Sequence, residues 1–184
     1  MLKIGIVAEG LPNSDVKIIA ELVKKILNNN PFFVLRPGGS KSNVIEKYRG
    51  WLEEFRHKRV EKALIIVDQD MACVKMLVEK MQNKIVGREF RFQVKFHVIE
   101  REIETWLLSD EKAISRVVER DVPPVNQTLE RIKYPKKKLK EILSRAKESY
   151  TAETLRRIAA ESDIERIAYR CPGFQRFRQL VLDC

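Results

Sequence analysis

Cysteine and histidine are scarce in this chain of 184 residues. Cys73, Cys171 and Cys184 are odd in number and far apart, and His57 and His97 stand alone. With no Cys-x-x-Cys pair, the four clustered ligands of a zinc site are missing, and reduced thiols fit a cytoplasmic protein. No apolar run reaches the roughly 18 residues of a membrane helix. Residues 1–7 are too short for a signal-peptide core before Glu9, so the expectation is a soluble, cytoplasmic chain without a membrane partner. Internal repeats and low-complexity linkers are also lacking.

What is present is charge. Hydrophobic residues make up 44% and charged residues 34%, which excludes a disordered tail or a collagen-like chain. The net charge is +10. Residues 1–110 carry 19 basic and 15 acidic side chains, and residues 111–184 carry 17 and 11. The C-terminal part is the more basic, which favours a polyanion partner, nucleic acid first. A solvated Lys/Arg/Glu surface would give the same balance.

The pattern alternates strand and helix up to about residue 110. Residues 2–8 read as a buried strand, residues 32–35 as a short one, and Ala63-Leu64-Ile65-Ile66-Val67 as a strand covered on both faces. Residues 90–99 alternate, with Arg91, Gln93, Lys95 and His97 on a wet face near a sheet edge. Helices are expected at about 16–27, 42–55 and 71–84. The pattern is helical from Glu102 onward, interrupted at Pro123-Pro124 and Tyr134-Pro135 and resuming near 136–148, 151–160 and 174–182. The fold class is therefore α/β: a mostly parallel sheet between helices (residues 1–110), with a basic helical C-terminal segment (residues 111–184) packed on it as one compact domain.

Three acidic clusters follow three strands: Glu9, then Asp68 and Asp70, then Glu100, Glu102 and Glu104. In open parallel sheets, sites lie at the C-terminal strand ends. Carboxylates gathered there repel one another unless a hard cation such as Mg²⁺ or Mn²⁺ joins them. Asp70 could equally cap the following helix, and Glu9-Gly10 could be a plain turn. Asp-x-Asp after an apolar strand also occurs in haloacid-dehalogenase phosphatases, but Ala72 stands where those place Thr or Val. Sugar-nucleotide transferases carry Asp-x-Asp too, in longer chains. Gly38-Gly39-Ser40-Lys41 is a turn or a backbone phosphate cradle, and it lacks a P-loop's spacer.

On a continuous helix, Glu102, Trp106 and Asp110 share one stripe, while Glu104 lies about 200° from Glu102. Glu102 is then expected to face the acidic cleft, and Glu104 to face outward or to pair with a basic side chain elsewhere, such as one from the C-terminal helices. Ile103, Trp106 and Leu107 read as core.

Strand–Glu9-Gly10 followed by strand–Asp68-x-Asp70 resembles the TOPRIM fold of topoisomerases, primases and overcoming-lysogenization-defect nucleases. More narrowly, Arg101-Glu102-Ile103-Glu104-Thr105-Trp106-Leu107-Leu108-Ser109-Asp110 resembles the Arg-Glu-x-Glu-x-Trp-Leu-Leu-Ala-Asp signature of an uncharacterised TOPRIM-like family. Pro123-Pro124, Pro135-Lys136, Tyr150 and residues 171–180 with Phe174 and Phe177 fit it as well. Two positions depart: Ser109 replaces the usual Ala, and Asn13 stands where many TOPRIM sequences carry an acid, with Asp15 two residues later. The resemblance implies Glu9 as a metal-associated acid/base and Asp68 and Asp70 as Mg²⁺ (or Mn²⁺) holders. Glu102 is a further ligand candidate, with Glu104 and Asp110 behind it.

The implied activity is metal-dependent phosphodiester processing, nuclease-like, on nucleic acid, DNA ahead of RNA. Relatives of that kind often stand beside ATPases in phage-defence settings. The alternative is therefore a non-catalytic nucleic-acid-binding or regulatory partner of an ATPase. Lys41, Lys136, Lys137, Lys138 and Lys140 are the phosphate-contact candidates. Replacing Lys136, Lys137 and Lys138 together by Glu should weaken DNA binding. It should also flatten the salt dependence by about 1 in log–log slope for each phosphate no longer neutralised. Fluorescence anisotropy across a salt series checks this, and a salt-independent affinity would assign the lysines another purpose.

Overall fold

The structure is a computed structural model that describes residues 1–11, 14–69 and 72–183. Asn13, Asp70 and Cys184 fall outside these. Four parallel strands form one sheet in the order β2-β1-β3-β4: β1 (Lys3–Ala8), β2 (Phe32–Pro37), β3 (Lys62–Asp68) and β4 (Gln93–Ile99). Helices α1 (Asp15–Leu27), α2 (Lys41–His57) and α3 (Val74–Asn83) make the crossovers. After the sheet come α4 (Glu104–Leu107), α5 (Glu111–Val118), α6 (Pro135–Arg145), α7 (Ala152–Glu161), α8 (Ile164–Arg170) and α9 (Pro172–Leu182). The α/β class and the helical C-terminal segment are as the alternation of patterns predicts. Helix α8 is an addition to the expected set.

Strand side chains alternate between the two faces. Ile4, Ile6, Leu64, Ile66 and Ile99 pack toward α1 and the C-terminal helices, whereas Val7, Ala63, Ile65, Val67 and Val98 pack toward α2 and α3. Both faces of β3 are thus covered, which explains its uninterrupted apolar run. Gly5 lies on the second face, where a Cβ would clash with the Phe55 ring, so glycine lets α2 approach the sheet closely.

Strand β4 is an edge strand, but its expected wet face is dry toward one end. His97 is buried, its ring 5.8 Å from that of Trp106 and 5.1 Å from that of Phe177. The C-terminal helices cover that face, which period-2 reading of one strand cannot foresee. Trp106 in turn stacks on Phe177 at 5.0 Å and meets Phe174 edge-on at 5.1 Å. One apolar cluster therefore joins residues of the sheet to residues of α5–α9. Lys62 adds a polar tie: its buried ammonium donates to the carbonyl oxygens of Val181 and Asp183 at 2.8 and 2.5 Å, capping the negative end of α9.

Burial holds the His97 imidazole neutral, its pKa pushed down to about 3, with the Arg176 charge adding to the effect. The unfolded chain binds this proton below about pH 6.5, so the folded state loses stability as pH falls from there toward 3. Among the described residues its Nε2 has no hydrogen-bond partner. His97→Phe keeps the ring contacts and removes the titration. In urea unfolding, it should spare roughly 2–3 kcal/mol of the stability that the parent loses between pH 7 and 4. An unchanged acid sensitivity would mean that His97 is not held neutral.

Candidate acidic site

Parallel pairing brings the ends of β1, β3 and β4 to one edge of the sheet. The Asp68 N–H donates to Glu9 Oε1 at 2.8 Å, which couples the ends of β1 and β3 directly. Asp68 pairs with Ile99 in register, and the Gln69 N–H bonds the Ile99 carbonyl at 2.8 Å, so Glu100 emerges beside Asp68. Turns behind Glu9 are pinned: Gly10 and Gly39 exchange backbone hydrogen bonds of 2.7 and 3.0 Å. Gly10 has φ +91° and Gly39 φ +72°, conformations that favour glycine. Gly38-Gly39-Ser40-Lys41 is thus a turn, and Ser40 caps α2 by accepting from the Asn43 N–H at 3.3 Å.

Arg101 also adopts a left-handed backbone, φ +71°, and its Nε donates to the Glu130 carbonyl. The chain bends there, passes through a turn at 102–103, and starts α4 only at Glu104. The expectation that Glu104 faces away from Glu102 is therefore corrected: the helix begins later, and the 100° spacing does not apply to residue 102. Both carboxylates line one cavity of about 160 Å³, together with Asp15, Asp68, Lys136 and Tyr150. Glu9 lies in an adjoining crevice with Asp15 and Asp68.

Neighbouring groups hold several of these carboxylates. Glu104 is buried and accepts a hydrogen bond from the Tyr150 hydroxyl. Burial pushes the Glu104 pKa up, and the Tyr150 bond opposes this. Burial together with the Glu104 charge raises the Tyr150 pKa too, so its hydroxyl stays a donor. Glu102 Oε2 accepts from the Lys136 N–H at 3.0 Å, at the positive end of α6. The Lys136 and Lys140 ammonium groups lie 5.8 and 4.9 Å from the Tyr150 ring centroid. Lys41 Nζ donates to the Gln69 carbonyl at 3.1 Å, next to Asp68.

Asp15 is the site residue that sequence reasoning missed. Its pKa is pushed up to about 6, chiefly by burial, then by Glu104 and Glu9, with Lys136 opposing. Its place two residues past the expected acid position was the available signal. Lys137 and Lys140 stay on the exposed face of α6, and Lys138 lies toward a different cavity.

The structure does not bring Asp110 to this cavity. It caps α5 through the Ala113 N–H at 3.2 Å, accepts the Asp163 N–H at 2.7 Å, and lies 3.6 Å from Arg166 Nε. Asp110 thus joins α5 to α8.

The donor set at the cavity is mostly carboxylate oxygen, the chemistry a hard cation prefers. Among the described residues, however, no three of these groups lie close enough together to form a metal site. Asp70, the other half of the Asp-x-Asp pair, lies outside the described residues.

The raised Asp15 pKa has a defined sign. The folded state holds a proton there that the unfolded chain releases above about pH 4, so the stabilisation is full below that pH and is lost as pH rises through 6. Asp15→Asn should match the parent at pH 4 and exceed it by about 2 kcal/mol at pH 8 in denaturant unfolding. A variant less stable at pH 8 would show that the carboxylate is stabilised in its charged form instead.

A family described as a domain of unknown function (DUF4276) matches residues 9–181, so the chain belongs to that family. No curated protein and no solved structure matches it.

Proposed function

We propose that this DUF4276 member is a TOPRIM-like, Mg²⁺- or Mn²⁺-dependent phosphodiester-processing protein, nuclease-like, acting on nucleic acid with DNA ahead of RNA. The observation that carries the reading is the gathering of Asp15, Asp68, Glu102 and Glu104 around one cavity, with Glu9 beside it, at the C-terminal sheet edge. Carboxylates gathered there, against Lys136 in the lining and Lys41 beside Asp68, favour a further positive charge such as a hard cation.

The resemblance names Glu9, Asp68 and Asp70, with Glu102 as a further candidate, as the residues that would hold a cation. Glu9 and Asp68 are the described pair joined at the sheet edge, and a cation bound there would supply Lewis acidity toward phosphate oxygens and activate water. Lys136 and Lys41 stand at the margin, where their ammonium groups attract phosphate. Glu9 would bind the cation or act as general acid/base, and Asp15, in the same crevice with its pKa raised to about 6, would be a second group able to take or give a proton there. Tyr150 holds Glu104 in place by donating to it. The basic face of α6 would carry the strand.

A second reading is favoured by a specific observation: Glu9, Glu102 and Glu104 each already accept a hydrogen bond from within the protein. Such self-satisfied carboxylates suit a non-catalytic nucleic-acid-binding or regulatory module of a partner ATPase. Cleavage of labelled single- and double-stranded DNA and RNA with Mn²⁺ separates the two. The catalytic reading expects cleavage that Asp68→Asn and Glu9→Gln each reduce by at least about 100-fold while DNA affinity without metal stays within a few-fold. Binding without cleavage, and no heat of Mn²⁺ binding in calorimetry, would establish the second reading.

A further inference from the structure

A second cavity, of about 510 Å³, opens between residues 120–127 and α6. That volume is within the range of small-molecule sites. Its charge is the reverse of the acidic one: Arg120, Lys138 and Arg145 line it against a single carboxylate, Asp121. Among the described residues, none of these three cations is in an ion pair, whereas Arg156, Arg166 and Arg170 are all paired with carboxylates.

The cavity is built rather than left over. Pro123 and Pro124 stiffen the loop by fixing their own φ. Hydrogen bonds tie it down on both sides: the Val122 N–H donates to Ser115 Oγ at 3.0 Å, and Arg170 Nη2 donates to the Val125 carbonyl at 2.6 Å. Val122 and Val125 are buried in the common apolar core. The opening therefore persists without a ligand, and binding there orders little chain.

Its lining has three chemistries. Pro123, Pro124, Ile142 and Ala146 offer flat or low apolar surface. Asn126 and Gln127 offer amides, which pair a donor and an acceptor as the edge of a nucleobase does. The three cations suit a phosphate. We infer that this cavity binds a nucleoside monophosphate group, with the base between the prolines and α6 and the phosphate among Arg120, Lys138 and Arg145.

The group could be a free nucleotide or one nucleotide of a strand. The strand source rests on the nucleic-acid reading above; the free nucleotide does not. Helix α6 links the two places, since Lys136 borders the acidic cavity and Arg145 the basic one. Nine residues of helix span about 14 Å, or about four steps of 3.4 Å along a strand.

Calorimetric titration of the full chain with AMP, adenosine and a 5′-phosphorylated trinucleotide tests this. AMP should bind more tightly than adenosine to the parent protein. Lys138→Gln combined with Arg145→Gln should weaken AMP by about 10-fold or more. Gln127→Trp, an exposed position, should block the mouth and abolish AMP binding without shifting the unfolding midpoint. Asp68→Asn should leave AMP affinity unchanged, so failure of the acidic-site reading is distinguishable from failure of this one. A trinucleotide tighter than AMP identifies the strand source, and the reverse order identifies a free nucleotide. No binding of either ligand, adenosine as tight as AMP, or equal AMP affinity in parent and variants would overturn the proposal.

Discussion

Trp106 is wedged between the sheet and α9, its indole against Phe174, Phe177 and His97. Aromatic packing of this kind contributes roughly 0.5–1.5 kcal/mol per pair beyond the burial of area. The four-residue helix α4 could not hold itself together in isolation, because a single turn does not offset the cost of helix nucleation. Its position derives from Trp106 and from Leu107 and Ile103, which are buried beside it. Because Glu104 and Glu102 ride on this anchored segment, the aromatic cluster also sets where two of the cavity's carboxylates sit.

That arrangement puts stability and chemistry in opposition. Asp15 and Glu104 are both pushed toward their neutral forms, chiefly by burial and further by neighbouring carboxylates. Apolar packing behind them, and the hydrogen bonds from Tyr150, Lys136 and the Asp68 amide, compensate for the repulsion. The C-terminal segment is thus part of the acidic site: α6 contributes Lys136, and the loop after it contributes Tyr150. An α/β sheet without these helices would leave Glu104 without its partner and the His97 face of β4 exposed.

The cations of α6 face three ways. Lys136 meets the acidic cavity, Lys137 and Lys140 are exposed, and Lys138 and Arg145 line the basic cavity. Many arginines elsewhere are engaged in ion pairs between helices, as with Arg166 and Arg170 on Glu111. Net charge alone therefore overstates how much of the surface is offered to a polyanion, and the location of the cations outside ion pairs is the more specific quantity.

Apolar runs ending in Glu9 and Asp68 were legible in the amino-acid order, because a strand covered on both faces stays apolar until it nears the edge, and the strand before Glu100 was legible from its alternation. Equally legible were the alternation that makes the sheet parallel and the core role of Ile103, Trp106 and Leu107. The start of α4 was not, because a left-handed Arg101 leaves no trace in periodicity; that backbone is held by contacts with residue 130. Nor could local pattern separate Asp110 from the other acids, since its partners, Asp163 and Arg166, are more than fifty residues away. Asp15 read as part of a helix start, and only the tertiary structure put it, half-buried, in the cavity with Asp68 and Glu104. Periodicity and spacing carry the information that backbone geometry enforces within one element. Which carboxylates share a low-dielectric environment depends on packing between elements far apart in the chain, and that appears only once the helices have closed over the sheet.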